Sequence, residues 1–222
     1  MFVNGGDVDE NGLAHIAALA RWLQEAAVAD TLDAGLLRQS AWIIRRATMR
    51  IERLPRFSEQ LELKTWCSGI AKSVAERSTS ITGDRGAAVE VEAIWVHMDP
   101  DTRRPARLPA GFHDAYAESA AGRRPRSSLR HPPSPPSDAE RLDWAFVRAD
   151  IDIAGHVNNA IYWRVAEEYL DLSLLTEEPA ILEAEYRSGI GAGPATVYRA
   201  HGTLWVCAAD GGAAATIHSG VA

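Results

Sequence analysis

One short pattern occurs twice in this chain, and the repeat limits its possible folds more than any other feature. Asp150-Ile151-Asp152-Ile153-Ala154-Gly155-His156-Val157-Asn158-Asn159 leads into Ala160-Ile161-Tyr162-Trp163 and an amphipathic stretch ending in Glu167-Glu168-Tyr169-Leu170. Asp7-Val8-Asp9-Glu10-Asn11-Gly12-Leu13-Ala14-His15 leads into Ile16 to Ala27 in the same way. Asp7 falls on Asp150, Asp9 on Asp152, Gly12 on Gly155, Arg21 on Arg164 and Glu25 on Glu168. The offset is 152 − 9 = 143 throughout, with no gap. A constant offset through acid, turn and helix is the mark of an internal duplication. The copies part where chemistry would sit, because Leu13 stands in the place of His156.

Each copy reads as an acidic turn feeding a helix and then a set of strands. Ile16, Leu19, Ala20, Leu23 and Ala27 lie on one helical face until Asp33-Ala34-Gly35 breaks the pattern. The period then changes. Trp42 to Arg53, Leu61 to Trp66, Val74 to Thr82 and Ala87 to Met98 read as long strands, with a hairpin turn at Gly83-Asp84-Arg85-Gly86. The second copy predicts a strand over Leu142 to Ala149 and a helix near Asn158 to Leu175. Strand character follows at Tyr186, over Thr196 to Val206 and over Ala213 to Val221, with a turn at Asp210-Gly211-Gly212. Only Met1 to Asn4 precede the first turn, so a strand leading into it is expected to be clipped.

At 222 residues the chain has room for two units of about 100 residues with real cores. The expected division is an N-terminal unit over 1–109, a linker over 110–141 and a C-terminal unit over 142–222. The linker contains Arg123-Arg124-Pro125-Arg126 and His131-Pro132-Pro133-Ser134-Pro135-Pro136-Ser137, which cannot hold a regular ladder, so it reads as exposed and partly disordered.

A formal charge of −7 argues against a general nucleic-acid partner. No apolar run reaches the 18 or so residues of a membrane span, and no basic-then-apolar signal pattern opens the chain. Cys67 and Cys207 have no metal-ligand spacing. A reducing cytoplasm is the expected setting, with no cofactor and no metal.

Taken together, these motifs resemble the hotdog fold, in which a curved antiparallel sheet wraps a long central helix. Two such units, with Asp152 and His156-Val157-Asn158-Asn159 in the second, resemble the acyl-acyl-carrier-protein (acyl-ACP) thioesterases of plants and bacteria. Ala20 to Ala27, Trp42 to Arg53, Ile94 to Asp99 and Thr102-Arg103-Arg104-Pro105 resemble motifs of the same family. The resemblance implies an α+β fold of two tandem hotdog units pairing as an intrachain pseudo-dimer, monomeric or again dimerised. It implies hydrolysis of an acyl-ACP or acyl-CoA thioester.

The sequence also departs from the plant pattern. Ala154 stands where those enzymes carry an asparagine, and Gly189-Ile190 stand where an acid and a cysteine follow a Glu-Tyr-Arg segment. Asp152-Ile153-Ala154-Gly155 also resembles the acidic turn of the single-unit hydroxybenzoyl-CoA thioesterases, which need no cysteine.

The resemblance assigns catalysis to Asp152 as base or nucleophile and to His156 as water-positioning group or alternative base. Asn158 would orient the thioester or the helix start. Backbone N–H groups around Val157 to Asn159 would polarise the carbonyl. Val157, Asn159 and Trp22 are the candidate substrate-binding residues, and Trp42 and Trp95 are further candidates for shaping an acyl tunnel. Core packing competes for each tryptophan, and helix capping competes for Asp152, Asn158 and Asn159. A catalytically inactive acyl-thioester binder and a hotdog dehydratase or hydratase are the alternative functions.

Overall fold

A computed structural model describes residues 1–36, 41–171, 179–209 and 211–221. The first helix, α1, spans Ile16–Asp33 and buries Ile16, Leu19, Ala20 and Trp22. It stops at Gly35, whose φ of 69° is the left-handed conformation that glycine adopts without strain. Strands β1 (Ala41–Arg53), β2 (Leu61–Ile70), β3 (Val74–Gly83) and β4 (Ala88–Met98) follow, and then helix α2 (Phe112–Ala120). The second half contributes β5 (Glu140–Phe146), α3 (Tyr162–Tyr169), β6 (Ala180–Tyr186), β7 (Gly193–Ala200), β8 (Thr203–Cys207) and β9 (Ala213–Val221).

The nine strands among the described residues form one antiparallel sheet in the order β2-β3-β4-β1-β6-β9-β8-β7-β5. The order reads symmetrically outward from the β1–β6 pair at its centre, where Ala47 faces Ala184 and Ile51 faces Ala180. The symmetry extends to the edge. Phe2 bridges Gln60 beside β2, as β5 pairs with β7, so Met1–Asn4 hold the place of a leading strand. Helices α1 and α3 pack against each other over one main core, which includes Leu19, Trp22, Met49, Trp163, Leu182 and Ile217.

Several expected boundaries move. The strand expected over Leu142 to Ala149 stops at Phe146, because Arg148–Asp150 turn as a 3₁₀ segment closed by the Asp150 carboxylate on the Val147 N–H, 2.8 Å away. The run Thr196 to Val206 is two strands. His201 (φ 48°) and Gly202 (φ 70°) reverse the chain between them. The helix expected to reach Leu175 ends at Tyr169, and residues 172–178 lie outside the described residues, as does Asp210 of the expected turn.

The segment 110–141 is the largest correction. It is not a free linker. Phe112, Tyr116 and Ala120 of α2 are buried. The Tyr116 hydroxyl donates to Asp30 Oδ2 (2.6 Å), and Ser119 Oγ donates to the Cys67 carbonyl (2.9 Å). Beyond α2 the chain lies as a strap on the outer side of β1 and β6. Arg46 donates to the carbonyls of Arg126 (2.9 Å) and Ser128 (2.8 Å). The Glu185 carboxylate accepts the backbone N–H groups of Arg130 and His131, and the Trp205 indole donates to the Pro132 carbonyl (2.9 Å). Prolines suit such a segment because its own backbone donors are few. The donors it does carry find carboxylates on the strand beneath.

Glu183, next to Glu185 on that face, gives the strap an acid-sensitive clasp. Burial would raise its pKa. Hydrogen bonds from His131 and Thr48, with the charges of Arg130 and Arg46, outweigh burial and hold it at about 2. A carboxyl depressed in the folded state stabilises above its unfolded pKa near 4.3, and that stability is lost as pH falls toward about 2. Urea midpoints are therefore expected to fall between pH ~5 and ~2 by an amount worth roughly 3 kcal/mol, and Glu183→Gln is expected to flatten that slope. An unchanged slope in Glu183→Gln would show that other groups carry the acid sensitivity.

Candidate functional site

The two acidic turns adopt one geometry. In the second, the Asp152 N–H donates to the His156 carbonyl (2.9 Å), and the Gly155 N–H donates to the Asp152 carbonyl (3.0 Å). In the first, Asp9, Leu13 and Gly12 make the same two bonds at 2.9 and 3.0 Å. Both glycines have positive φ, 74° at Gly12 and 80° at Gly155, as this turn requires. Asp9 Oδ1 accepts the Asn11 N–H (2.9 Å), and Asp152 Oδ1 accepts the Ala154 N–H (2.8 Å). Arg21 pairs with Asp7 and Arg164 with Asp150. Asp9 is thus a turn former, and Asp152 is one as well.

What surrounds Asp152 sets it apart. Its Oδ2 lies 3.5 Å from the Asn158 amide nitrogen. Asn158 in turn forms a reciprocal amide pair with Gln24 of α1, both bonds 3.1 Å, and its Oδ1 caps the Ala160 N–H (2.8 Å). Asp152, Asn158 and Gln24 are therefore one hydrogen-bonded chain that runs from the second turn to the first helix. Gln24 is not legible as a site residue by motif. Its signal lies in the offset, since 24 + 143 = 167 and both helices carry a long polar side chain there.

The matching contact in the other copy joins Glu167 of α3 to His15. Their side chains approach to 3.3 Å, and the Glu167 carboxylate also accepts the Ile16 N–H at the start of α1. Burial raises the Glu167 carboxyl above its ordinary value, while His15 and the N–H groups of Ile16 and Ala17 pull it down. A carboxylate thus occupies the first helix N-terminus. An open cleft of about 1060 Å³ runs along this seam, lined by Asp9, His15, Gln24, Asn158 and Glu167.

The oxyanion donors expected around Val157 to Asn159 are fewer than the sequence suggests. The Val157 N–H is spent on the Ile190 carbonyl (2.8 Å), which ties the turn to the segment after β6, and the Asn158 N–H on the Asp150 carbonyl (2.9 Å), which closes the turn. The Asn159 N–H has no acceptor among the described residues. Its carbonyl accepts the Tyr186 hydroxyl (3.0 Å). Burial drives the Tyr186 hydroxyl far above the ordinary tyrosine range and pushes Tyr162 up to about 12, with the Asp152 charge adding to the latter shift. Both tyrosines are therefore neutral donors near the turn.

His156 is half-buried, and its ring makes no hydrogen bond among the described residues. It lies flat on Gly189: a Cβ there would sit 2.4 Å from His156 Cδ2 and Cγ. The departure from the plant pattern at Gly189 is thus coupled to the pose of the histidine, since any side chain at 189 collides with this ring. Gly189→Ala is expected to turn the imidazole out of this pose with the melting temperature little changed, read as a shift of the His156 ring signals in NMR; unshifted ring signals would mean that the imidazole does not rest on Gly189. Ile190 is buried in the core.

Val157 is buried, and Trp22 (1% exposed) packs inside the core. Trp42 stacks near His97 (5.1 Å) and Phe112 (5.4 Å) in a separate small cluster under α2. The cavity beside Asn159 is lined instead by Trp95, Trp163, Tyr186, Met49, Leu23 and small residues of β1 and β4. Of the three tryptophan candidates, Trp95 alone reaches it.

Only His131, Glu183 and Glu185, among the described residues, bring three potential metal ligands within 4.8 Å. Arg46 and Arg130 beside Glu183, and Arg187 beside Glu185, already balance that charge. No helix among the described residues is long and apolar enough to cross a membrane.

Residues 1–116 match the family model of the acyl-ACP thioesterase N-terminal domain, and residues 134–198 match that of the C-terminal domain. An uncharacterized protein of Mycobacterium tuberculosis is 27% identical over 201 residues, covering 88% of this chain and 79% of that protein. An Arabidopsis thaliana oleoyl-acyl carrier protein thioesterase is 26% identical, covering 83% of this chain and 57% of that one. Among solved structures, an acyl-ACP thioesterase from Bacteroides thetaiotaomicron superposes with a TM-score of 0.80 at 17% identity, covering 99% of this chain and 94% of that one. A 12:0-ACP thioesterase from Umbellularia californica superposes with a TM-score of 0.76 at 17% identity, with the same coverage.

Proposed function

The chain belongs to the acyl-ACP thioesterase family, whose members hydrolyse fatty acyl-ACP thioesters, and we propose that Asp152 of its second acidic turn carries the chemistry. A thioester is already activated, so hydrolysis needs a carboxylate or an activated water, an oxyanion donor and an acyl pocket. The observation that carries this reading is the chain Asp152–Asn158–Gln24, which holds an ionisable carboxylate ahead of α3 and ends on Gln24 in the cavity wall.

In this reading Asp152 attacks the carbonyl or takes a proton from water. His156, with both ring nitrogens uncommitted, positions that water or serves as an alternative base. Asn158 holds the carboxylate, and the Asn159 N–H receives the developing oxyanion. The first copy supports this last role. There the Glu167 carboxylate rests on the Ile16 N–H, and 16 + 143 = 159. The Ile16 N–H is filled by an internal anion, and its counterpart at Asn159, three residues ahead of α3, is left for the substrate.

The two halves then act as tandem hotdog units paired as an intrachain pseudo-dimer, with the first supplying Gln24 and the acyl wall. The symmetric strand order and the recurring turn bonds support that description. A cytoplasmic location and an ACP or CoA carrier complete the reading. The test is thiol release from acyl-ACP and acyl-CoA substrates, from short to long chains. Saturable release on at least one carrier is expected. Saturable binding with no release would assign the chain to inactive acyl-thioester binders.

A further inference from the structure

The cavity beside Asn159 offers a hydrogen-bond donor that a hydrocarbon chain leaves unused. Most polar groups in its lining are committed. The Tyr186 hydroxyl donates to the Asn159 carbonyl (3.0 Å), Thr79 Oγ1 bonds with Thr65 Oγ1 (2.9 Å), and Arg77 pairs with Asp30 (2.7 Å). The Trp95 indole N–H is different. It is buried and has no acceptor among the described residues. The Trp22 and Trp144 indoles are unpaired in the same way, but neither lines this cavity.

Location makes the Trp95 donor relevant to substrate. Trp95 pairs with Ile44 across β1 and β4, and β1 separates β4 from β6, where Tyr186 holds Asn159. Two strand spacings, about 10 Å, therefore lie between the strand beneath the reacting end and the one that bears the indole. The cavity is about 20 Å³, room for about one water-sized group, so an acyl chain must open it and take up the space against Trp95. A saturated chain would seal the N–H in hydrocarbon at a cost, and an oxygen on the chain would satisfy it.

On the reading that this chain hydrolyses acyl thioesters, we propose that its preferred acyl group carries an oxygen acceptor, a hydroxyl or a keto group, several carbons from the thioester. Trp95 Nε1 is the donor that receives it.

The experiment compares octanoyl-ACP and octanoyl-CoA with analogues whose hydroxyl or keto oxygen is moved stepwise along the chain, in wild type and in Trp95→Phe. Calorimetric binding of the corresponding free acids is measured alongside and needs no turnover. The best oxygenated analogue is expected to exceed the saturated chain roughly tenfold in kcat/KM and in acid affinity. Trp95→Phe, which keeps a ring and removes the N–H, is expected to bring both ratios to about one. A wild type that treats all chains alike, or a Trp95→Phe that keeps the preference, would overturn the proposal. Absence of thiol release from every substrate would count against the hydrolase reading, and the acid-binding ratios would then decide this inference by themselves.

Discussion

Asp152→Asn is expected to reduce kcat for thiol release by roughly 10²–10⁴-fold, the range for loss of a positioned acid–base or nucleophilic group. The substitution keeps an oxygen that can accept the Ala154 N–H, so the turn is expected to survive. What it removes is the charge. An amide neither attacks a carbonyl nor takes a proton from water near neutrality, and its NH₂ meets the Asn158 amide donor 3.5 Å away. The loss is expected in kcat rather than KM, because the acyl pocket is lined by other residues. Rapid-quench or thiol-trapping assays under saturating substrate read it directly. A loss confined to KM would place Asp152 in binding alone.

The second large effect is on stability. Glu185→Ala is expected to cost about 3–5 kcal/mol and to lower the melting temperature by roughly 6–20 °C. Glu185 is 0% exposed, and its carboxylate accepts the backbone N–H groups of Arg130 and His131 and pairs with Arg187 (3.1 Å). Its removal leaves two strap donors without their acceptor and the Arg187 guanidinium with the His131 carbonyl but no counter-charge, which costs more than the pair itself is worth. The same strand leads through Arg187 to Gly189 and Ile190, the support of His156 and of the Val157 N–H. Loosening the strap is therefore expected to lower activity at temperatures well below the melt. A thermal scan by circular dichroism with a shift under ~2 °C would show that the strap is not held through Glu185.

How much of this was legible in the sequence depends on the range of each interaction. The acidic turns were legible because their chemistry is local. An acid, a glycine at positive φ and a cap lie within ten residues, and the 143-residue offset doubles the signal. The strands of the first half were legible from their alternation. The strap was not, because Pro, Ser and Arg in series look alike whether solvated or pinned. The missing information lay some 55 residues away, in Glu183 and Glu185 alternating with Leu182, Ala184 and Tyr186 on β6. Acids on the outer face of a central strand are costly unless something cationic covers them. Gln24 and Glu167 escaped motif reading for a similar reason, since each acts on the opposite copy. The place of Trp22 on its helix suits pocket or core alike, and the structure buries it in the core. The register of β4 gives the cavity Trp95 instead.

The central claim is that one of two matching turns carries the chemistry, and a paired substitution tests it most directly. Asp9→Asn and Asp152→Asn remove the same charge from turns with the same backbone bonds, and the Asp9 carboxylate also accepts the Leu13 N–H (2.9 Å), so damage to the turn is at least as large in Asp9→Asn while chemistry belongs to Asp152 alone. Thiol release from acyl-ACP should fall by orders of magnitude in Asp152→Asn and stay within a few-fold of wild type in Asp9→Asn. Equal losses in the two variants, or a loss confined to Asp9→Asn, would contradict the account.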